Sequence, residues 1–481
     1  MSSVPARPTP AAPPAAPETA ATAVPLRLDP DPSLSRLSGG RTLLGGAPYR
    51  VLRLSAAGAR LVDGWLAGEP VPARPGQRRL ADRLITAGLV HPRYVAGPFT
   101  ATDVTPVVPV RDRPEVNSTL SALRSPGGPA AAVVVDDGSR VPLPGAAVRH
   151  PVSRGPAAAR NSGWRLAGTE LVAFLDADVV PEPGWLEALL PHFADPRVAA
   201  VAPRVRSRPG GSVLERYERE RSPLDLGPLP AVVRPGSRVS YVPTAALVVR
   251  VSALRALDGF DESLRYGEDV DLVWRLAARD LLVRYEPGSE VRHAPRGRWS
   301  AWARQRFDYG TSAAPLALRH GPAAAPVRVS PWTLACWGAV AAGRPAAAAG
   351  TALITAALLP RKLHGVGVPA QESVALALRG HWGAGRMFAD AVTRSWWPVA
   401  VPALAASRHG RLLLAAAWGR HVTDWRAARP GVPLPGWVAA RIADDLAYGA
   451  GVWWGALRHR TLAPLLPDPS PWPGRDGVRQ A

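Results

Sequence analysis

The sequence predicts an α/β chain whose centre is a doubly wound, mostly parallel, Rossmann-like sheet. Three observations lead there. From Val104 onward, short apolar runs alternate with helical patterns over brief connections, as strands with crossover helices do. The run Leu171-Val172-Ala173-Phe174-Leu175 is continuously apolar, as expected of a strand covered on both faces. Carboxylates close these runs: Asp136 and Asp137 follow one, Asp176 and Asp178 another. In an open α/β sheet, ligands bind beyond the carboxyl ends of the strands. The acids therefore stand where a metal and a phosphorylated ligand could reach them.

Composition divides the chain. Residues 1–25 are rich in Pro, Ala and Thr, cannot bury a core, and are expected to be a disordered tail. Residues 26–95 form a small module. Arg41 to Gly46 and Tyr49 to Leu54 read as two strands around a Gly-Gly-Ala-Pro turn. Ser55 suits the N-cap of a helix carrying Leu61, Val62, Trp65 and Leu66. A second amphipathic helix, Arg78 to Ala87, has Leu80, Leu84 and Ile85 on one face and Gly88 as its stop. A hairpin with short helices suggests a winged helix-turn-helix. No helix here presents a dense Arg or Asn row, so nucleic acid is not an expected partner.

Residues 100–315 carry the α/β pattern. Thr105 to Val110 is its first strand, Ala130 to Val135 the second and Ala146 to Arg149 a short third. Pro114-Glu115 and Pro156 each open a helix. A carboxylate at Asp136 or Asp137 can accept hydrogen bonds from a base N–H and from ribose hydroxyls, and Gly138 lets the backbone come close to a ligand. The alternative there is a simple Asx turn. Arg160 and Asn161 lie one helical turn from Pro156, either touching a nucleotide or facing solvent. Glu268-Asp269 opens a further helix, where acids are favoured by the helix dipole whatever else they do. His293 follows a predicted strand.

Four motifs in this part resemble the family 2 glycosyltransferases, which have a GT-A fold. They are Val-Val-Val-Asp-Asp-Gly-Ser at 133–139, Gly-Pro-Ala-Ala-Ala-Arg-Asn at 155–161, Phe-Leu-Asp-Ala-Asp at 174–178 and Gly-Glu-Asp-Val-Asp-Leu at 267–272. The resemblance implies a uridine site at Asp136, Asp137 and Gly138, with Arg160, Asn161 and Asp176 along the nucleotide sugar. It implies Asp178 as ligand to Mg2+ or Mn2+, with His293 on the metal side. It makes Asp269 the base that deprotonates the acceptor hydroxyl, with Glu268 beside it, in a single inverting displacement. A Gln-x-x-Arg-Trp motif of polymerising members is missing: Pro295 stands where the Gln would precede Arg298-Trp299. That departure speaks against a pore-coupled polymeriser.

The N-terminal pattern Leu43-Leu44-Gly45-Gly46, Leu52-Arg53-Leu54-Ser55 and Ala87-Gly88-Leu89-Val90 resembles PqqD-like peptide-recognition domains. Together the two parts resemble the glycosyltransferases of the mycofactocin system. That resemblance implies a UDP-glucose donor, a peptide-derived redox-cofactor precursor as acceptor, and a short β-1,4-linked glucose chain as product. The alternatives are a cell-envelope glycosyltransferase with a lipid-linked or polysaccharide acceptor, and a non-catalytic peptide- or DNA-binding regulator.

Residues 326–465 turn to Ala, Leu, Val and Trp. Trp332 to Gly343, Pro345 to Leu359, Ser395 to Ala406 and Leu412 to Trp418 are apolar but interrupted, and Arg residues flank them. None clearly reaches the ~20 apolar residues of a spanning helix. Paired short helices lying in an anionic membrane interface, or a marginal hairpin, fit better, with Trp and Arg as anchors. The net charge of +20 agrees, although the cations are Arg throughout save Lys362, a bias that a GC-rich genome also produces. A single cysteine, Cys336, excludes a disulfide framework within the chain. The N-terminus lacks a basic-then-apolar export signal, so the cytoplasmic face of the cell membrane is the expected location. Residues 466–481 are expected to be a loose tail.

Overall fold

The computed structural model describes residues 25–124, 128–470 and 478–480. The tail expected at 1–25 lies, Pro25 apart, outside the described residues, as do 471–477 and 481 of the C-terminal one.

A nine-stranded sheet forms the centre. Its path runs Val179–Pro181, Leu282–His293, Val198–Ser207, Ala246–Arg250, Leu171–Leu175, Val104–Val110, Val133–Asp137 and Val148–His150, with Ala231–Val233 paired to the 282–293 strand off that path. Parallel pairing joins 104–110 to 133–137 and to 171–175, 133–137 to 148–150, and 198–207 to 282–293. The remaining pairs are antiparallel: 246–250 with 171–175 and 198–207, and 179–181 and 231–233 with 282–293. The sheet is mixed, which corrects the expectation of a mostly parallel one. Ala246-Leu247-Val248-Val249 is buried on both faces, and such a run reads the same in either direction. Alternate residues serve opposite cores. Leu171, Ala173 and Leu175 pack with Val108, Phe193 and Val248 on one side. Val172 and Phe174 pack with Val107, Leu247, Leu272 and Tyr285 on the other.

The N-terminal module has its own core. Leu26–Pro30 pairs with Val90–Tyr94, and Ser35–Leu37, Thr42–Gly45 and Arg50–Arg53 form a meander. Ser55 caps the Ala56–Leu66 helix by accepting from the Gly58 amide, and that helix buries Ala59, Val62 and Trp65. The second helix is Pro75–Thr86, three residues earlier than its apolar face suggested, because Pro75 is pre-set for the first helical position. The module is fastened to the sheet domain through polar groups. His91 pairs with Asp31 at 2.8 Å, the Arg284 guanidinium lies 3.2 Å from the other His91 nitrogen, and Arg197 pairs with Asp82 at 3.0 Å.

The C-terminal region has six α-helices, Pro331–Ala341, Pro345–Leu363, Ala370–Asp390, Trp397–Ala405, Arg408–Ala428 and Leu434–Arg458, joined by shorter helical turns. Among the described residues no helix is long and apolar enough to cross a membrane. The last helix lies along Trp299–Thr311 at glycine contacts. A Cβ on Gly310 would stand 2.1 Å from the Tyr448 carbonyl, and one on Gly451 2.0 Å from that of Phe307. This packing sets the C-terminal region against the sheet domain and closes a cleft of about 1580 Å3 between them.

Candidate active site

The cleft opens at the carboxyl ends of the 104–110, 133–137 and 171–175 strands, and Asp137, Gly138, Asp176 and Asp178 line it there. Asp176 and Asp178 occupy the turn between the 171–175 and 179–181 strands. Contacts from outside help fix that turn: the Asp176 amide donates to the Ala245 carbonyl at 3.0 Å, and the buried Thr119 hydroxyl reaches the carbonyls of Ala177 and Val179 at 3.0 and 2.7 Å. Thr119, one polar residue on the short Val116–Leu123 helix, carried no signal in the sequence that it would serve this turn.

Strand register supplies the metal-side pair. Val179 stands opposite His293, so His293 Nε2 lies 3.5 Å from Asp178 Oδ1. Burial holds the imidazole below its usual pKa, keeping its nitrogens available as a neutral ligand. Arg113 and Arg296 lie 3.8 and 3.9 Å from Asp178 Oδ2. A carboxylate and a neutral imidazole at the rim suit a hard divalent cation that takes its other ligands from phosphate oxygens and water. Among the described residues no cluster of three or more His, Cys, Asp or Glu side chains offers a complete cage. Such a cation would therefore be bound jointly by protein and ligand.

The two acids of the second strand part company. Asp137 faces the cleft and accepts from His150, Ser153 and the amides of Arg154 and Gly155 at 2.7 to 3.0 Å. These donors hold its carboxyl below the usual range against the opposing effect of burial. Asp136 does not reach the cleft, contrary to expectation. It is wholly buried, and its oxygens bond the amides of Ser139 and Leu143 and the Arg149 guanidinium. The local turn that was the alternative reading of this acid is the one present. Gly138 has φ of +73°, and a Cβ there would stand 2.5 Å from the Ser153 amide nitrogen.

Arg160 and Asn161 also separate. Arg160 lines the cleft and bridges two acids, donating to Glu268 Oε1 and to Asp176 Oδ1 at 2.8 Å each. It thereby ties the nucleotide-side turn to the start of the Glu268–Ala278 helix. Asn161 is withdrawn into the core, a second correction. Its amide joins the Phe260 backbone at 2.8 and 2.9 Å, Glu262 at 3.0 Å and the Trp164 indole at 3.0 Å.

Asp269 differs from its neighbours. Glu268 is held by Arg160, and Asp271 is wholly buried against Arg275, Arg319 and His320. The hydrogen bond to Asp269 comes from the next amide, that of Val270, at 2.8 Å. Enclosure by protein, and then the nearby Glu268 charge, lift its carboxyl to about 7. A carboxylate so placed takes up a proton readily near neutral pH, the property a general base needs. Gly267 begins the helix at φ +81°, and a Cβ there would crowd Ser312 at 2.9 Å.

The far wall of the cleft was not foreseen from the sequence. Arg394, Arg441, Asp444, Asp445 and Tyr448 line it, all from the C-terminal region. The signal that could have found them is Asp444-Asp445 within an otherwise apolar helical pattern, followed by Gly449, Gly451 and Gly455.

Residues 107–255 match the sequence profile of glycosyl transferase family 2. Over 236 residues the chain is 31% identical to the N-acetylglucosaminyl-diphospho-decaprenol L-rhamnosyltransferase of Mycobacterium tuberculosis, covering 40% of this chain and 76% of that one. Among solved structures, the mannosyltransferase PcManGT from Pyrobaculum calidifontis in complex with GDP-Man and Mn2+ covers 74% of this chain and 89% of its own, at 19% identity and a TM-score of 0.42. The pre-mycofactocin glycosyltransferase of Mycobacterium tuberculosis is 42% identical over 458 residues, 90% of this chain and 95% of that one. A match of that extent takes in the N-terminal module and the C-terminal helices as well as the sheet, so the chain, a transferase of GT-A-like fold, belongs to the pre-mycofactocin glycosyltransferase family.

Proposed function

We infer that this transferase moves glucose from UDP-glucose to premycofactocin, a peptide-derived redox-cofactor precursor, and builds a short β-1,4-linked chain. The observation that carries the reading is the full-length kinship with the pre-mycofactocin enzyme. Asp137 and Gly138 hold the uridine, with Asp176 beside the ribose. Asp178 and His293 would hold Mg2+ or Mn2+, which neutralises the departing diphosphate when bound. Arg113 and Arg296 add positive charge at the same place. Asp269 takes the proton from the acceptor hydroxyl as it attacks the anomeric carbon from the face opposite the leaving group, which inverts an α-linked donor to a β-linkage. Arg160 keeps the Asp269 helix start and the Asp176 turn in register. The N-terminal module is read as PqqD-like and as the contact for the peptide part of the acceptor. Action takes place at the cytoplasmic face of the cell membrane.

Mass spectrometry of cofactor extracts from a deletion strain tests the reading: the hexose additions should vanish. Hexoses that persist unchanged would leave the cell-envelope reading, which the partial match to the decaprenol-linked rhamnosyltransferase favours. For the metal, Asp178→Ala should abolish Mn2+-dependent UDP binding measured by calorimetry. Retained metal-dependent binding would remove Asp178 from that role.

A further inference from the structure

The cleft is larger than one donor requires. Sites for single small ligands run to about 300–1000 Å3, and this one is about 1580 Å3. Beside Asp269 three phenols gather. Tyr241, Tyr309 and Tyr448 all line the cleft. Tyr241 is close enough to Asp269, Tyr448, Arg394 and Arg306 for their charges to act on it, and Tyr309 to Asp269 and Tyr241. The region beside the base is therefore lined by amphipathic aromatic groups, of which Tyr309 already accepts from the Gln305 amide at 3.0 Å.

Behind them the charged side chains are paired with one another. Arg394 lies 2.9 Å from Asp445 and 3.4 Å from Asp444, with its guanidinium 3.9 Å from the centre of the Tyr448 ring. Arg306 pairs with Asp444 at 3.2 Å and also with Glu218, and the Tyr217 hydroxyl donates to Asp444 at 3.0 Å. Arg441 lines the same wall, is 6% exposed, and has a buried Nε without a hydrogen-bond partner among the described residues. Charges already matched do not call for an ionic ligand. A cleft wall of matched charges and phenols suits a neutral polyol, whose hydroxyls both donate and accept and whose ring faces stack on aromatics. The glycine contacts with the 299–311 helix hold this wall at a fixed distance from Asp269.

We propose that the C-terminal wall, centred on Tyr448 and Arg441, binds sugar units already attached to the acceptor, and so selects for chain elongation over first addition. This rests on the glycosyl-transfer reading above and assigns a subsite within it. The two are tested separately by one design. Wild-type transfer to bare acceptor and to acceptor carrying one or two glucose units is measured with UDP-glucose. Tyr448→Leu and Arg441→Gln are then compared with wild type. Each should lower the ratio of kcat/KM on glucosylated over bare acceptor about tenfold, the scale of one or two lost contacts, and shorten the product chains seen by mass spectrometry. An equal fall on both acceptors would overturn the proposal while leaving transfer intact. No wild-type transfer to either acceptor would instead defeat the functional reading. Where Arg441→Gln fails to fold, Tyr448→Phe, which keeps the ring, should lie between wild type and Tyr448→Leu. Saturation-transfer NMR with cellotriose supplies a readout free of turnover: wild type should bind it and Tyr448→Leu should not. Absence of cellotriose binding by wild type, together with unaltered chain length in Tyr448→Leu, would also overturn it.

Discussion

At Asp269 the properties that favour turnover oppose stability. Its carboxyl is lifted to about 7 by enclosure and by Glu268, whereas in an unfolded chain it would ionise near pH 4. As a base it works deprotonated, so kcat/KM should rise with pH through about 7 and fall roughly tenfold per unit below. The linkage runs the other way for the fold. Between about pH 4 and 7 the unfolded chain releases this proton and the folded chain keeps it, so stability falls as pH rises. Asp269→Asn removes both effects at once. It should cut turnover by about 10²–10⁴, the range for general-base loss, leave UDP binding measurable, and raise Tm at pH 8 relative to wild type. A variant that keeps near-normal turnover would dismiss Asp269 as the base. One that loses turnover and also melts earlier at pH 8 would show that the acid is held by a partner rather than strained by burial. The contrast with Glu268, Asp271 and Asp136 shows the principle: those acids have paired cations or several donors, and among the described residues Asp269 accepts from one neighbouring amide.

Among the elements, the contact between the Trp299–Thr311 and Leu434–Arg458 helices decides whether the cleft has a far wall. Gly310→Ala would force a methyl to within 2.1 Å of a backbone carbonyl, and helix backbones cannot yield as a side-chain end can. Overpacking of this kind costs about 1–3 kcal/mol, so Tm should drop by several degrees. Gly350→Ala, on the 345–363 helix with nothing within 4 Å of the new Cβ, should be neutral or stabilising by about 0.5–1 kcal/mol. Thermal melts of the two variants check the contrast, and equal melting would mean that the helices are not in tight contact. These elements differ in how far the sequence disclosed them. The 104–110 and 171–175 strands were legible because both faces are covered, and the second run also ends in acids. The antiparallel direction of 246–250 was not, since a doubly buried strand has no directional mark. Asp136 and Asp137 are the same residue type on one strand and point to opposite faces, and which of the two faces the cleft is not marked in the local sequence. The far wall was hidden for another reason. Tyr448, Asp444 and Asp445 sit on a helix whose acid pair and glycines mark it as special, but that pattern does not say which helix, more than a hundred residues away, it will meet.

For the molecule as a whole, the outer surface of the C-terminal helices poses a question of solvent. Leu353, Ile354 and Leu358 follow one another at helical spacing and are 65, 52 and 45% exposed. On the neighbouring Ala370–Asp390 helix Leu378 is exposed, and Trp382 is 84% exposed. Val399 and Leu412, on the 397–405 and 408–428 helices, are exposed as well. Large apolar groups standing in water in this number mark an interaction surface. Between 331 and 423 the chain has nine Arg or Lys residues and two acids, Glu372 and Asp390. An apolar face within a cationic segment matches an anionic lipid surface, where each cation near the headgroups contributes about 1 kcal/mol and buried side chains add to it. We propose this as the surface that brings the enzyme to the membrane without spanning it. Purified full-length protein should co-sediment with phosphatidylglycerol-containing vesicles at low ionic strength, release as salt is raised, and bind phosphatidylcholine vesicles far more weakly. The double variant Leu353→Asp, Trp382→Ser changes exposed positions outside the cleft, so it should fold normally and lose about tenfold or more in vesicle affinity. Binding by the variant at wild-type strength would place the lipid contact elsewhere. A wild-type dimer that the same substitutions dissociate, with no vesicle binding by either protein, would show instead that these helices cover each other in a second copy of the chain.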